Sequence, residues 1–131
     1  MFFPTDRGGS FVVFDWQTVS VGHGADDLAR IVAMGLSVAQ REQHDRRLIE
    51  LYHTGLVDHG VVDYDLEECV LDFRLGLTSS LLTNMVAASA IDLEVIRRTE
   101  AEFGISVADA LFGGLAAAVE AHDTLSLIPQ R

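Results

Sequence analysis

Asp15 closes the apolar run Phe11-Val12-Val13-Phe14 and is followed by Trp16-Gln17, which places an acid at the end of a predicted strand. A carboxylate there needs a cation, a metal or backbone donors, because burying it unpaired is costly and drives it toward its neutral form. Residue type and spacing alone leave two roles open: capping the next turn, or holding a cation. A second group, His23, Asp26 and Asp27, has the donor types that bind zinc and other divalent ions. With Gly24-Ala25 between them, these residues fit better as a loop and the first turn of a helix, where acids meet the positive end of the dipole.

Other reactive groups carry less. Ser79-Ser80 fall within a predicted helix, without the sharp turn that exposes a nucleophilic serine. Cys69 is the single cysteine, so an internal disulfide and a Cys-rich metal site are excluded. Glu67 and Glu68 beside it are expected to raise its pKa, which makes it a small core residue and not a reactive thiolate. Gly22-His23-Gly24 is too short to cradle a phosphate. His53 and His59 are single helix histidines, which usually pack or cap.

Residues 11–30 as a whole resemble the kinase-like phosphotransferase family that includes aminoglycoside phosphotransferases, choline kinase and the ecdysteroid-kinase-like proteins. In that family a strand ends in D-W-[EQ], and a short Gly-containing loop leads into a helix opening with D-L-A. Asp15-Trp16-Gln17 and Asp27-Leu28-Ala29 match both elements, and the Gln looks most like the ecdysteroid-kinase-like branch. The resemblance implies that Asp15 is the magnesium-binding Asp whose cation bridges the phosphates of ATP. It further implies that Asp27 braces the catalytic loop, with Trp16 and Gln17 as structural support of the site. Residues up to about 90 are also similar to the family's helical C-terminal part, in the Arg41 to His53 helix and in Asp72-Phe73-Arg74-Leu75-Gly76.

Against this family the chain shows two departures. Its nine positive charges are all Arg, so no Lys can grip the nucleotide phosphates. None of the five histidines, His23, His44, His53, His59 and His122, is followed by Gly-Asp, so the H-G-D loop and its Asn are not in the sequence. Met1-Phe2-Phe3 resembles the apolar pair that comes directly after that Asn in the family, so the chain is expected to start just after the catalytic loop and to be inactive alone.

The elements that must position these residues are set by pattern. Phe2 to Pro4 and Phe11 to Phe14 flank a polar Gly-rich stretch and predict a short hairpin. From Gly24 onward the period is helical. Leu28, Ile31, Val32, Gly35 and Leu36 mark the apolar face of a first helix. Ser37 with Gln40 is a capping box for a second helix, which carries Leu48, Leu51, Tyr52 and Leu56 and stops at Gly60. Its charged run, Arg41, Glu42, Asp45, Arg46, Arg47 and Glu50, reads as a solvated face. Asp65 with Glu68 opens a third and central helix, with Leu66, Val70, Phe73, Leu77 and Leu81 on one side and Leu71, Leu75 and Leu82 on another. Arg74, embedded there, needs a carboxylate or backbone carbonyls as partner. Asp92 caps a fourth helix ending at Phe103-Gly104. Ser106 with Asp109 opens a fifth, bearing Leu111, Leu115, Val119 and His122, in which Gly113-Gly114 argues against one unbroken helix. Leu125 to Arg131 is expected to be irregular.

The expected architecture is mainly α: a short N-terminal β-hairpin and then a bundle of about five helices, resembling the C-lobe part of a protein-kinase-like fold. It is read as one domain over residues 1–131, with the hairpin and metal-site loop in 1–24 and the helical part in 25–124. The formal net charge of −11 disfavours nucleic-acid binding, and no segment has the length and apolarity of a membrane span. One cysteine and no signal peptide favour the cytoplasm. The resemblance implies part of an ATP- and magnesium-dependent phosphotransferase acting on a small-molecule hydroxyl; the partners expected for this chain are a second copy, as a homodimer, or a missing N-terminal half. The alternative is a non-catalytic helical module for dimerisation or protein interaction.

Overall fold

The computed structural model describes residues 2–4, 11–13, 19 and 21–129. Strands β1 (Phe2–Pro4) and β2 (Phe11–Val13) pair antiparallel, with Phe2 opposite Val13 and Pro4 opposite Phe11. The remainder of the described chain is mainly helical: α1 (Gly24–Gly35), α2 (Val38–Asp58), α3 (Leu66–Ser89), α4 (Leu93–Phe103) and α5 (Gly114–Ala121). Among the described residues no single helix is long and apolar enough to cross a membrane.

The helix boundaries reflect local chemistry. Ser37 and Gln40 form a reciprocal capping box at the start of α2, and Asp65 and Glu68 form another at the start of α3. Each pair satisfies backbone N–H groups that have no partner inside the helix. Asp92 caps α4 through the amide of Glu94, 2.7 Å away. Gly104 ends that helix in the left-handed conformation at φ 66°, where a side chain would be strained.

Packing centres on α3, which touches α1, α2 and α5. Its buried stripe is Cys69, Phe73, Gly76, Leu77, Ser80 and Asn84, spaced so that all six share one face. Fully burying a side chain of the size of Phe73 or Leu77 contributes about 1.5–3 kcal/mol. The second apolar row expected on α3 is not covered. Leu71, Leu75 and Leu82 are exposed, so this helix is central on one side only.

On α1 the core residues are Ala25, Ala29, Val32 and Ala33, while Ile31 of the expected face is 53% exposed. Small side chains win because the helices approach closely. A Cβ on Gly76 would come within 2.8 Å of the Asp26 Cα and 3.0 Å of the Ala29 Cβ. Gly114 likewise lies against the Ala33 carbonyl, bringing α5 onto α1.

Two further departures lie at the C-terminal end. The fifth helical segment is not regular throughout, because Asp109–Gly113 form a π-helical turn before α5. The buried Asn84 donates to the Leu111 carbonyl of that turn at 2.7 Å, satisfying a carbonyl there with a side chain. Beyond α5, Thr124–Leu127 form a 3-10 turn where irregular chain was expected. Arg74 holds it, donating from Nη2 to the Asp123 carbonyl at 2.6 Å and to Ser126 Oγ at 3.0 Å. A backbone carbonyl thus supplies the partner that Arg74 required.

Candidate functional site

At one end of the bundle the start of α1, the second half of α2 and the start of α3 bring polar side chains together. His23 is the residue before α1; its backbone is extended and its side chain does not cap the helix. Instead the imidazole reaches across, placing Nδ1 2.9 Å from Asp72 Oδ2 on α3. Tyr64, just ahead of the α3 cap, donates its hydroxyl to the same oxygen at 2.9 Å. His53 on α2 donates from Nε2 to the Tyr64 carbonyl at 3.0 Å. One carboxylate oxygen therefore fixes the approach to α1 and the loop before α3, and His53 anchors that loop to α2.

Tyr52 and Cys69 complete the cluster. The Tyr52 hydroxyl occupies the space that a side chain at Gly24 would need, which explains a glycine at the first position of α1. Burial is the main cause that pushes the Tyr52 phenol above its ordinary value, and the Cys69 thiol once ionised and the Asp27 and Asp72 carboxylates add to it. The Tyr64 phenol is pushed far up, first by burial and then by its hydrogen bond to Asp72. Cys69 is fully buried, and burial is the main cause of its raised pKa. Tyr64 acts in the opposite direction and Asp72 adds to the rise. The cause is thus the interior and not the expected neighbours Glu67 and Glu68. Both phenols and the thiol stay protonated at neutral pH, so the cluster donates hydrogen bonds and holds backbone in place; it offers no thiolate nucleophile.

Of the expected site residues, Asp15, Trp16 and Gln17 lie outside the described residues. Asp27 sits exposed in the first turn of α1 beside Asp26, and among the described residues no donor bonds its carboxylate. His23, Asp26 and Asp27 do not converge, because His23 turns to Asp72; among the described residues no three His, Cys, Asp or Glu side chains gather as a metal site. His59 caps α2, with Nδ1 donating to the Gly55 carbonyl at 2.7 Å.

A second polar group was missed because its residues looked solvated in the sequence. Arg41 is only 2% exposed, and its Nη1 lies 3.6 Å from Asp45 Oδ2. That oxygen is 2.8 Å from Nε2 of His122, at the end of α5. The available signal was the i, i+4 spacing of Arg41 and Asp45, in line with Leu48, Ile49 and Tyr52 on the inward face of α2.

A family model, DUF1679, described as "Uncharacterized oxidoreductase dhs-27", matches residues 2–106, from β1 to just past α4. The chain belongs to that family. Its matched span includes Asp15, Asp27 and the whole His23, Asp72 and Tyr64 cluster, whereas His122 lies beyond it. Comparison with curated proteins and with solved structures finds no match.

Proposed function

We propose that these residues form part of a kinase-like small-molecule phosphotransferase. Asp15 holds a magnesium ion on the nucleotide phosphates, and α1 to α3 form a wall on the side of the acceptor hydroxyl. The carrying observation is the pairing in order of Asp15-Trp16-Gln17 with Asp27-Leu28-Ala29, the second of which opens α1. Further support comes from the family match, which spans both motifs. Magnesium is commonly held by one or two carboxylates together with substrate phosphates, so a single Asp suits its donor set. When bound, the ion neutralises charge on the transferring phosphoryl group. Asp72, by holding His23 through its imidazole, fixes the entry to α1.

The family description speaks of an oxidoreductase, and the glycines of this sequence nowhere follow the G-x-G-x-x-G spacing of a dinucleotide fold. Calorimetric titration separates the two chemistries. The expected result is ATP binding that requires magnesium, is lost in Asp15→Ala and is not matched by NADPH. Binding of NADPH in preference to ATP, or ATP binding indifferent to Asp15→Ala, refutes the proposal. With no Lys and no H-G-D loop in these 131 residues, phosphoryl transfer by them alone is not expected.

A second reading is favoured by the exposed Leu71, Leu75, Leu82 and Val86 on α3 and Leu93 and Phe103 on α4. These would serve a non-catalytic interaction module. Self-association in sedimentation, without nucleotide binding, would favour it.

A further inference from the structure

α3 carries two apolar faces. One is the buried stripe from Cys69 to Asn84. The other is Leu71, Leu75, Thr78, Leu82 and Met85, which recur at alternating intervals of four and three residues; its Leu and Met side chains are between 43% and 58% exposed. Phe73, Leu77, Ser80 and Asn84 of the buried stripe lie two residues on from Leu71, Leu75, Thr78 and Leu82, which is about 200° around a helix, so the faces are on opposite sides. Alternating four and three is the spacing by which one α-helix packs along another, knobs into holes. The outward seam therefore calls for a helix, along the roughly 21 Å from Leu71 to Met85.

Charge selects which helix. From Leu75 to Ile91 no residue is charged, although the chain has a formal net charge of −11. A basic partner helix finds no carboxylate along that stretch, whereas a second α3 brings no charge onto it. The ends are complementary as well. Glu67 is exposed in the first turn of α3, and Arg97 and Arg98 are exposed on α4, beyond a 103° bend at the other end. Among the described residues neither Arg pairs with a carboxylate.

We propose that two copies pair antiparallel along this seam about a two-fold axis, with Leu71 opposite Ser89, Leu75 opposite Met85 and Thr78 opposite Leu82 of the second copy. Each acidic start of α3 then meets the end of the other α3, where the chain turns into the α4 that carries Arg97 and Arg98. Parallel pairing would set Glu67 against Glu67 and align the two helix dipoles. The pairing deepens the interaction reading, on whose exposed α3 face it rests, by naming the partner.

The test is sedimentation equilibrium of the full chain at micromolar concentration, where a dimer is expected. Leu75→Glu with Leu82→Glu, both at exposed positions, should keep the helical circular dichroism and weaken the dimer at least about 100-fold. On mild oxidation Leu71→Cys mixed with Ser89→Cys should cross-link as a mixed pair, with Cys69 buried and uninvolved. Leu71→Cys alone should not cross-link, because its two sites are then roughly 27 Å apart. A monomer, a monomer that binds phosphatidylcholine vesicles, or cross-linking of Leu71→Cys to itself would overturn the pairing. A dimer that survives the seam variant and is broken by Leu93→Glu with Phe103→Glu also overturns it, while leaving the interaction reading standing on α4. A seam dimer that binds ATP with magnesium supports the pairing and ends only the non-catalytic reading.

Discussion

Removing the Asp45 carboxylate tests how the buried Arg41 is tolerated. Arg41 has 2% of its surface exposed, and its Nε and Nη1 find no hydrogen-bond partner among the described residues. Its compensation is therefore electrostatic, from Asp45 at 3.6 Å, and that same oxygen serves His122 at 2.8 Å. Asp45→Ala leaves a buried guanidinium uncompensated, a change that costs about 3–5 kcal/mol. The double variant Arg41→Met with Asp45→Leu removes both charges and fills the volume with apolar atoms, and such replacements are neutral or stabilising by about 1–4 kcal/mol. The contrast is measured by urea unfolding at neutral pH. For a slope of about 1–3 kcal/mol per molar, the single variant lowers the midpoint by more than about 1 M, and the double variant recovers it. If Asp45→Ala stays within about 0.5 kcal/mol of the parent, as surface changes do, Arg41 is solvated and the reasoning fails.

At Gly76 an alanine gains roughly 1 kcal/mol of helix propensity, but its Cβ meets the Asp26 Cα at 2.8 Å. Overpacking of about 1–3 kcal/mol outweighs that gain, so Gly76→Ala should lower the thermal midpoint by roughly 3–5 °C. Gly55→Ala in α2 meets nothing within 4 Å and should raise stability by about 0.4–1 kcal/mol. Alkaline unfolding tests the Tyr64 cluster. Tyr52, Tyr64 and Cys69 all have folded pKa values raised above their ordinary ones, so the unfolded chain releases these protons first. The stability they contribute is complete below the unfolded values, 9.0 for the thiol and 10.0 for the phenols, and is lost as pH rises past them. The loss should reach up to about 1.4 kcal/mol per pH unit for each group, and Tyr64→Phe should flatten the slope above pH 10. An unchanged slope would remove Tyr64 from the account.

Short-range chemistry is what the sequence made legible. The boxes Ser37 with Gln40 and Asp65 with Glu68, the Asp92 cap and the Gly104 stop each involve neighbours a few residues apart, so type and spacing suffice. Burial of Arg41 was signalled only by its i, i+4 spacing to Asp45, because His122, which shares the Asp45 oxygen, arrives from the far end of the chain. The alanine seam of α1 was hidden for a similar reason: Ala29 carries little hydrophobic signal until Gly76 is set opposite it. The π-helical turn and the 3-10 turn depend on Asn84 and Arg74, each a long-range donor to backbone. Of the candidate site, the helix that comes after Asp15 was readable, whereas Asp72 as the acceptor for both His23 and Tyr64 was not.

Unlike α3, α4 has no buried residue between Leu93 and Phe103. A helix of that length is marginal on its own, since isolated helices shorter than roughly 12–15 residues rarely persist in water. The Asp92 cap, the Gly104 stop and the Glu100 carboxylate, which accepts from the Val107 amide at 2.9 Å, are what hold it. The chain therefore divides into cooperative units of unequal strength. Amides of α4 exchange with solvent through openings of low free energy, while those along the Phe73 and Leu77 stripe of α3 wait for global unfolding. Among the described helices, a protease that needs several residues of extended chain will cut first between Ala90 and Gly104, leaving α5 held on α1 and α3 through Leu115, Ala118 and Val119.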